Sequence, residues 1–406
     1  MDKVLVGMSG GVDSSVTAYL LKESGYEVEG ISLFLWEPET RSGCGACCSV
    51  HSLESAARTA DKIGVAHRVV DLRDVFREKV VEPFVQAYMT GMTPNPCVLC
   101  NRFVKFPCLL READMRGAGF IATGHYARVE PFPCRTEDFW MIASEPRMGN
   151  SSEQGMERSP CFCLRKGIDP KKDQSYVLYI LRQTELRRLL LPLGSYTKDD
   201  IRAMAKKQNL PAAGRTESQE VCFVQDGAYS SFIEKSAREA GRPGPIIALD
   251  NQAVIGMHKG IHGYTIGQRK GLGISSPDPL YVVKIDAGEN AVYVGPRDAA
   301  RKREFFVADL NWVNPPEPAS REPGRGGGVF RATVKVRSTM KDEPATFFLE
   351  RNPSSNPLTQ GRAGGLPVDA VRVVFDEPQW APAPGQSAVF YDGDRVIGGG
   401  VIIDFC

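Results

Sequence analysis

Residues 9–15, Ser9-Gly10-Gly11-Val12-Asp13-Ser14-Ser15, are the densest run of chemistry-bearing residues in the chain. Two glycines remove the side chains that would hold a bound group away from the backbone. The serines add hydroxyl donors, and Asp13 offers a carboxylate suited to Mg²⁺ or to a phosphate-bound water. If a strand leads into this run and a helix leads out, the helix N-terminus contributes unpaired N–H groups and a favourable dipole, which together make a phosphate cradle. No Gly-Lys-Ser/Thr ending follows, so the loop is not a Walker A loop. Two cysteines offer a second chemistry. Cys100 lies in Pro94-Asn95-Pro96-Cys97-Val98-Leu99-Cys100-Asn101-Arg102, near an expected helix start, with Arg102 and Lys105 close by. Positive charge and a helix N-terminus raise the thiolate fraction of a cysteine. Cys222 lies in the polar stretch Thr216-Glu217-Ser218-Gln219-Glu220, just before a short apolar run. For any single cysteine the reading as a buried apolar filler stays open.

These residues need elements to position them. Val4-Leu5-Val6 reads as a buried strand, residues 14–24 as a helix stopped by Gly25, and residues 28–35 as a second strand. Leu53, Ala56, Ala57, Ala60 and Ile63 have helical spacing, and residues 67–70 read as a third strand. Residues 97–115 look helical beyond the two prolines of the preceding loop, and 120–123 look like another strand. The β-loop-α-β alternation implies an α/β domain with a doubly wound parallel sheet over residues 1–215, with an insertion at about 130–163 inside a hairpin. Ser32, Leu33, Gly124 and His125 then fall at the carboxyl edge, where open α/β sheets bind ligands. A small central domain is expected over 216–280. Short alternating runs from 281 to 406 indicate a C-terminal β-barrel or sandwich, interrupted by a long loop at 352–366.

The chain has 406 residues, 42% hydrophobic and 24% charged, with a formal net charge of +1. Whole-chain charge therefore does not announce a nucleic-acid binder, and any such surface must come from local clustering. Residues 171–215 provide one, with ten Lys/Arg against four Asp/Glu. No apolar run approaches a membrane span and no signal peptide is evident, so a cytoplasmic location is expected. The 11 cysteines are then expected to serve catalysis, redox work or metal binding rather than a disulfide framework.

The phosphate loop resembles that of the ATP pyrophosphatases, which cleave ATP between the α and β phosphates. Several stretches extend the resemblance in order along the chain: Thr93-Pro94-Asn95-Pro96, Ala122-Thr123-Gly124-His125-Tyr126-Ala127-Arg128, Lys172-Asp173-Gln174-Ser175-Tyr176, Glu217-Ser218-Gln219-Glu220-Val221-Cys222-Phe223 and Pro384-Gly385-Gln386. With the loop, they make the chain similar to the tRNA-specific 2-thiouridylase (MnmA) family. The resemblance implies an adenine nucleotide alpha hydrolase-like domain and ATP-dependent 2-thiolation of the wobble uridine of tRNA. Cys100 would be the nucleophile and Cys222 the persulfide carrier, and the two could end a cycle as a disulfide. ATP would meet Gly7, Met8, Ser9, Gly10, Gly11, Val12, Asp13, Ser14, Leu33 and Gly124, with Mg²⁺. The tRNA would meet Asn95, Pro96, Cys97, His125, Lys172, Asp173, Gln174, Arg337, Ser338 and Gln386. A sulfur-relay protein or cysteine desulfurase would supply the persulfide.

Two departures stand out. Cys97 occupies a position where many members of the family carry Asp, and Ser338 follows Arg337 where Tyr is expected. Cys97, Cys100 and Cys222 are also open to a second reading, as three ligands of a [4Fe-4S] cluster with one open iron. Cys44, Cys47, Cys48 and His51 are open to zinc, although a thiol-rich loop is the simpler reading. Cys134, Cys161 and Cys163 have no expected role. Two rival functions share some of these features. Another pyrophosphatase-loop enzyme, a ligase or amidotransferase, would need neither cysteine. A non-enzymatic RNA-binding or iron–sulfur protein would not turn over ATP.

Overall fold

The computed structural model describes residues 1–37, 50–133, 161–215, 221–224, 229–237, 241–316, 320–321, 328–351 and 369–403. The Cys44–Cys48 cluster, Cys134 and the expected loop at 352–366 lie outside the described residues.

The chain opens with strand β1 (Lys3–Gly7), helix α1 (Val12–Glu23), strand β2 (Glu27–Phe34), helix α2 (Val50–Ile63) and strand β3 (Ala66–Asp71). Strand β4 (Phe120–Ala122), the hairpin β5 (Ala127–Phe132) and β6 (Cys161–Lys166), and strand β7 (Leu189–Leu190) follow. The first sheet runs β3-β2-β1-β4-β7 with every pair parallel. Val4, Leu5 and Val6 are all fully buried because the sheet is covered on both faces. Alternation sends Val4 and Val6 towards Ala18 and Leu21 of α1 and Ala56 and Ala60 of α2. Leu5 faces the other way, towards Leu109 and Ala113 of the helix Phe106–Met115. The chain moves outwards from β1 to β2 and later returns to β1's other side with β4. This reversal opens a crevice beyond the carboxyl end of β1, the usual ligand position in such sheets.

The expected helix over 97–115 forms in three pieces. Pro96–Cys100 runs through a π-helical turn at Asn101–Lys105 into Phe106–Met115. A second interrupted helix, Arg73–Phe76 to Glu82–Met89, carries its own π turn at Arg77–Val81.

A four-stranded central sheet joins Tyr281–Asp286, Ala291–Gly295, Gly244–Ala248 and Val254–His258. The runs near 281 and 291, expected among the C-terminal strands, therefore pair with the central segment instead. Their apolar residues, with Ile246, close a core against Ala381 and Ala383 at the end of a barrel strand.

The C-terminal strands form a closed six-stranded barrel, because Arg301–Trp312 pairs both with Asp369–Trp380 and with Arg395–Ile403. Its interior is aromatic, with Phe330 stacked on Phe347 at a centroid separation of 4.7 Å. The hairpin β5–β6 of the first domain adds onto the barrel through Leu164↔Val396 and Arg165↔Arg395. Asp394 accepts hydrogen bonds from Arg128 at 2.6 Å and Arg165 at 2.5 Å, and so fixes that joint.

Candidate active site

The phosphate loop forms as its residue types require. Met8 donates its N–H to Ile31 O at 2.7 Å, and Ser32 Oγ donates to Met8 O at 2.6 Å, so the loop's entry is tied to β2. Gly10 adopts φ +74°, a left-handed conformation that favours glycine. Gly11 is the N-cap of α1, and no described side chain caps that end. The first N–H groups of α1 therefore stay available to an anion. Ser14 Oγ accepts from Ser9 N at 3.1 Å and donates to Gly11 O at 3.2 Å, folding the loop on itself. Gly124, just past β4, meets the same site. A Cβ there would stand 2.9 Å from the backbone of Asp13 and Ser14. Leu33 is half-buried at the end of β2 and packs towards the cysteines described below.

Asp13 is already engaged. Lys198 Nζ donates to its two carboxylate oxygens at 2.7 and 2.9 Å, and Tyr126 Oη donates to Oδ1 at 2.7 Å. Lys198 is the first residue of the helix Lys198–Lys207, whose start is set by a Thr197–Asp200 capping box. Its side chain is only 6% exposed. Removing one member of a buried pair strands the other charge, which costs about 3–5 kcal/mol. Asp13→Ala is expected to destabilise the first domain towards the lower end of that range, seen as a drop in urea midpoint. Asp13→Ala with Lys198→Met is expected to recover much of it. If the single and double variants unfold at the same denaturant concentration, Lys198 does not depend on Asp13.

Cys100 and Cys222, more than a hundred positions apart in sequence, join one side-chain cluster. Cys100 is buried beside Phe76, Phe84, Val104 and Phe223, and Cys222 lies partly buried at its margin. Phe223 anchors this meeting, with its ring 5.2 Å from Phe84 and 5.6 Å from Phe76. Leu33, Leu35 and Val70 belong to the same cluster. It therefore sits at the carboxyl edge of β2 and β3, the edge from which the phosphate loop springs. Both cysteines stand as thiols, not as halves of a disulfide. Cys97 is an exposed thiol one helical turn before Cys100. Among the described residues, no group of three or more His, Cys, Asp or Glu is arranged to hold a metal ion. Cys161, which has no expected role in the sequence, is disulfide-bonded.

Apart from His125, the residues expected to meet tRNA divide into three groups. Asn95 caps the helix Pro96–Cys100, its Oδ1 accepting from Cys97 N at 3.1 Å and Val98 N at 3.4 Å. Pro96 occupies the first helical position, where its missing N–H costs nothing. The barrel supports this turn, because Thr93 N donates to Pro384 O at 2.7 Å beside Gly385 and Gln386. The Pro384-Gly385-Gln386 turn is thereby tied to Thr93, in the segment that leads into Asn95-Pro96-Cys97.

In the second group, Asp173 accepts from Gly167 N, Ser175 N and Ser175 Oγ, and Lys335 lies 3.8 Å away. Gln174 holds both backbone polar groups of Tyr126, accepting from N at 3.0 Å and donating its own N–H to O at 2.9 Å. Both residues thus brace the turn that carries half-buried Lys172. In the third group, Arg337 donates to Ile266 O at 2.9 Å and Ala381 O at 3.0 Å, joining barrel and central domain, with Ser338 exposed beside it.

His125 faces Thr123 Oγ1 at 2.8 Å through Nδ1 and stacks near Phe106. Burial, reinforced by the Lys105 ammonium, holds its imidazole well below its ordinary range. Burial lowers His67 and His258 as well. Unfolded imidazoles titrate near 6.5. Below that pH the unfolded chain binds protons that the fold refuses, so stability is complete above it and declines as pH falls through it. The urea midpoint is expected to be lower at pH 5.5 than at pH 7.5. An unchanged midpoint would contradict the burial of these rings.

Charge counting alone did not reveal Lys198 or Arg215. Lys198 faces Asp13, and Arg215 donates to Gly10 O and Ser52 Oγ, each at 3.1 Å. Two members of the basic segment thus serve the phosphate loop. Likewise Arg102, expected to act on Cys100, pairs with Asp309 of the barrel. The capping sequence Thr197-Lys198-Asp199-Asp200 marks a helix start, but nothing in it points to Asp13.

A doubly wound sheet with a non-Walker phosphate loop at its switch point defines a nucleotide-binding enzyme domain of the pyrophosphatase-loop class. Family models match along the chain: a tRNA methyl transferase HUP domain over residues 2–226, a tRNA methyl transferase PRC-barrel domain over 230–296 and an aminomethyltransferase beta-barrel domain over 302–402. The chain is 43% identical over 404 residues to tRNA-specific 2-thiouridylase MnmA 2 of Caldanaerobacter subterraneus subsp. tengcongensis, covering 99% of this chain and 98% of the relative. It is 42% identical over 404 residues to the MnmA of Pelotomaculum thermopropionicum, covering 98% and 97%. A solved U34-tRNA thiolase, NcsA from Methanococcus maripaludis with its [4Fe-4S] cluster, is 18% identical, with a TM-score of 0.31 over 59% of this chain and 65% of that one. A likeness that faint carries no argument here. The chain belongs to the tRNA-specific 2-thiouridylase (MnmA) family of enzymes. No helix among the described residues is long and apolar enough to cross a membrane.

Proposed function

We propose that this enzyme thiolates C2 of the wobble uridine in tRNA in two steps, adenylation and sulfur transfer. The observation that carries this is the gathering of Cys100 and Cys222 at the sheet edge that bears the phosphate loop. The loop N–H groups and the start of α1 would bind the ATP phosphates. Uridine O2 attacks the α-phosphorus and pyrophosphate leaves, which turns a poor leaving group into a good one. Mg²⁺ would offset the triphosphate charge, with Asp13 the nearest carboxylate of the loop.

Cys222 would carry a persulfide supplied by a cysteine desulfurase or sulfur-relay partner. Its terminal sulfur attacks C2 and AMP leaves. The Cys100 thiolate then attacks the Cys222 sulfur, the S–S bond breaks, and the terminal sulfur stays on C2. The resulting Cys100–Cys222 disulfide is reduced by an external thiol before the next cycle. The exposed segment around Cys97 and the basic face at Lys172 would meet the tRNA, whose target base must leave its stack to reach the site. An amide-forming ligase would have no use for two thiols at this edge.

The test is mass spectrometry of tRNA nucleosides after incubation with ATP, Mg²⁺ and a persulfide donor, alongside pyrophosphate release. Thiouridine that requires ATP supports the reading. Pyrophosphate release indifferent to tRNA, with no thiouridine, would overturn it.

A further inference from the structure

Two turns that carry expected tRNA contacts are each bracketed by one lysine and one aspartate. Lys166 ends β6, and Asp173 closes the turn after it by accepting from Gly167 N at 3.2 Å, with Lys172 just inside. In the barrel, Lys335 ends the strand Gly328–Lys335 and Asp342 precedes the strand Glu343–Arg351, with Arg337 and Ser338 in the hairpin turn between them. The brackets pair crosswise between the two domains. Lys166 Nζ donates to Asp342 Oδ1 at 2.6 Å, and Lys335 Nζ lies 3.8 Å from Asp173 Oδ2. Thr333 Oγ1 donates to Asp342 Oδ2 at 2.5 Å. Tyr391 of the barrel meets the first domain twice, its ring centre 4.3 Å from Lys166 Nζ and its Oη 3.2 Å from Ser175 Oγ. The side chains of Lys335 and Asp173 are only 10% and 5% exposed. At 3.8 Å Lys335 makes no hydrogen bond to Asp173, so burying this pair contributes little to stability. Burial lowers the pKa of Lys335, and the Lys166 ammonium is near enough to lower it further. Sliding one turn past the other would set Lys166 against Lys335 and Asp173 against Asp342. Like charges facing each other out of water repel strongly, so the crossed pairs admit one register.

We infer that Lys335 and Asp342 are positioning residues for tRNA: their crossed pairs hold the Lys172 turn and the Arg337–Ser338 turn at one spacing, so that phosphates of a single tRNA meet both. This rests on the tRNA reading above. Neither residue need touch the RNA. Two turns held in register meet a folded RNA already ordered, whereas turns free to shift must be ordered at each encounter and lose part of every phosphate contact. The device therefore acts on tRNA affinity and leaves the phosphate loop and the thiol pair as they are.

The readout is thiolation of full-length tRNA, with KM for tRNA and kcat taken separately, beside tRNA binding over a series of salt concentrations. Lys335→Met keeps the length of the side chain, and Asp173 keeps its three hydrogen bonds within its own turn. The variant is expected to raise KM for tRNA by about fivefold to tenfold while kcat stays within about twofold of wild type. Asp342→Asn is expected to do the same. Lys335→Arg restores the cation and is expected to bring KM back to within about twofold of wild type. Lys172→Ala removes one phosphate contact and is expected to weaken binding and lower the salt slope by about one. In a Lys335→Met background the same change is expected to add less than about twofold, because the turn is already displaced. If Lys172→Ala keeps its full effect in that background, or if Lys335→Met and Asp342→Asn lower kcat and leave KM for tRNA unmoved, the pairs are only a structural brace and the inference is wrong. If Lys172→Ala in otherwise wild-type enzyme changes neither tRNA affinity nor the salt slope, the tRNA reading of that turn fails and takes the inference with it, a result distinct from additive effects.

Discussion

Cys222→Ser is expected to remove thiouridine formation by at least about a thousandfold, the scale on which loss of a covalent participant is felt, while tRNA-dependent pyrophosphate release stays within a few-fold of wild type. A serine cannot carry a sulfane sulfur, but it preserves the shape of the site and the packing of Phe223 against Phe76 and Phe84. Adenylation draws on the loop and α1, which Cys222 does not build. The two halves of the reaction should therefore separate in one variant. Cys100→Ser is expected to stop later, with tRNA held on Cys222 through the undischarged S–S bond and released by added thiol. Paired measurements of nucleosides and pyrophosphate check both. Thiouridine at wild-type rates from a persulfide donor in either variant would defeat the thiol mechanism.

Gly10→Ala is expected to lower tRNA-dependent pyrophosphate release by about a hundredfold or more, the scale of losing a preorganised donor at a developing charge. Two independent causes combine. The residue sits at φ +74°, and its new Cβ would lie 2.0 Å from Ser52 O and 2.8 Å from Ser52 C. Backbone is the obstacle, so no rotamer change relieves it, and either α2 or the loop must move. Gly25→Ala provides the control. It shares a positive φ, +86°, but meets nothing within 4 Å. It should cost about 1 kcal/mol of stability and leave turnover intact. A Gly10→Ala enzyme within threefold of wild type would show that the loop's shape does not govern adenylation.

Parts of this site are local, and those parts were legible in the sequence. Ser9 to Ser15 are contiguous, and a strand, loop and helix around them follow from short-range patterns. The same holds for the Asn95-Pro96 helix start, although its motif suggested a ligand contact where the side chain is seen capping a helix. The meeting of Cys100 with Cys222 was not legible. It depends on Phe223 docking into a helix whose periodicity is broken by the π turn Arg77–Val81, so that helix itself went unread. Asp173 and Gln174 show a different limit. A polar motif looks the same whether it faces RNA or braces a turn, and only the acceptor geometry tells them apart. Barrel strands such as Arg301–Trp312 were missed because bulges shift their register and spoil simple alternation.

The addition of β6 to the barrel has a consequence for how this chain comes to be folded. Leu164 and Arg165 wait for Val396 and Arg395, which are synthesised more than two hundred positions later. Loop closure over such a span is slow, and an unpaired edge is adhesive while it waits. The first domain should therefore leave the ribosome with one open flank, prone to capture by other nascent chains. Truncations that end before residue 395 should be the aggregating species, whatever the intrinsic stability of the domains they retain.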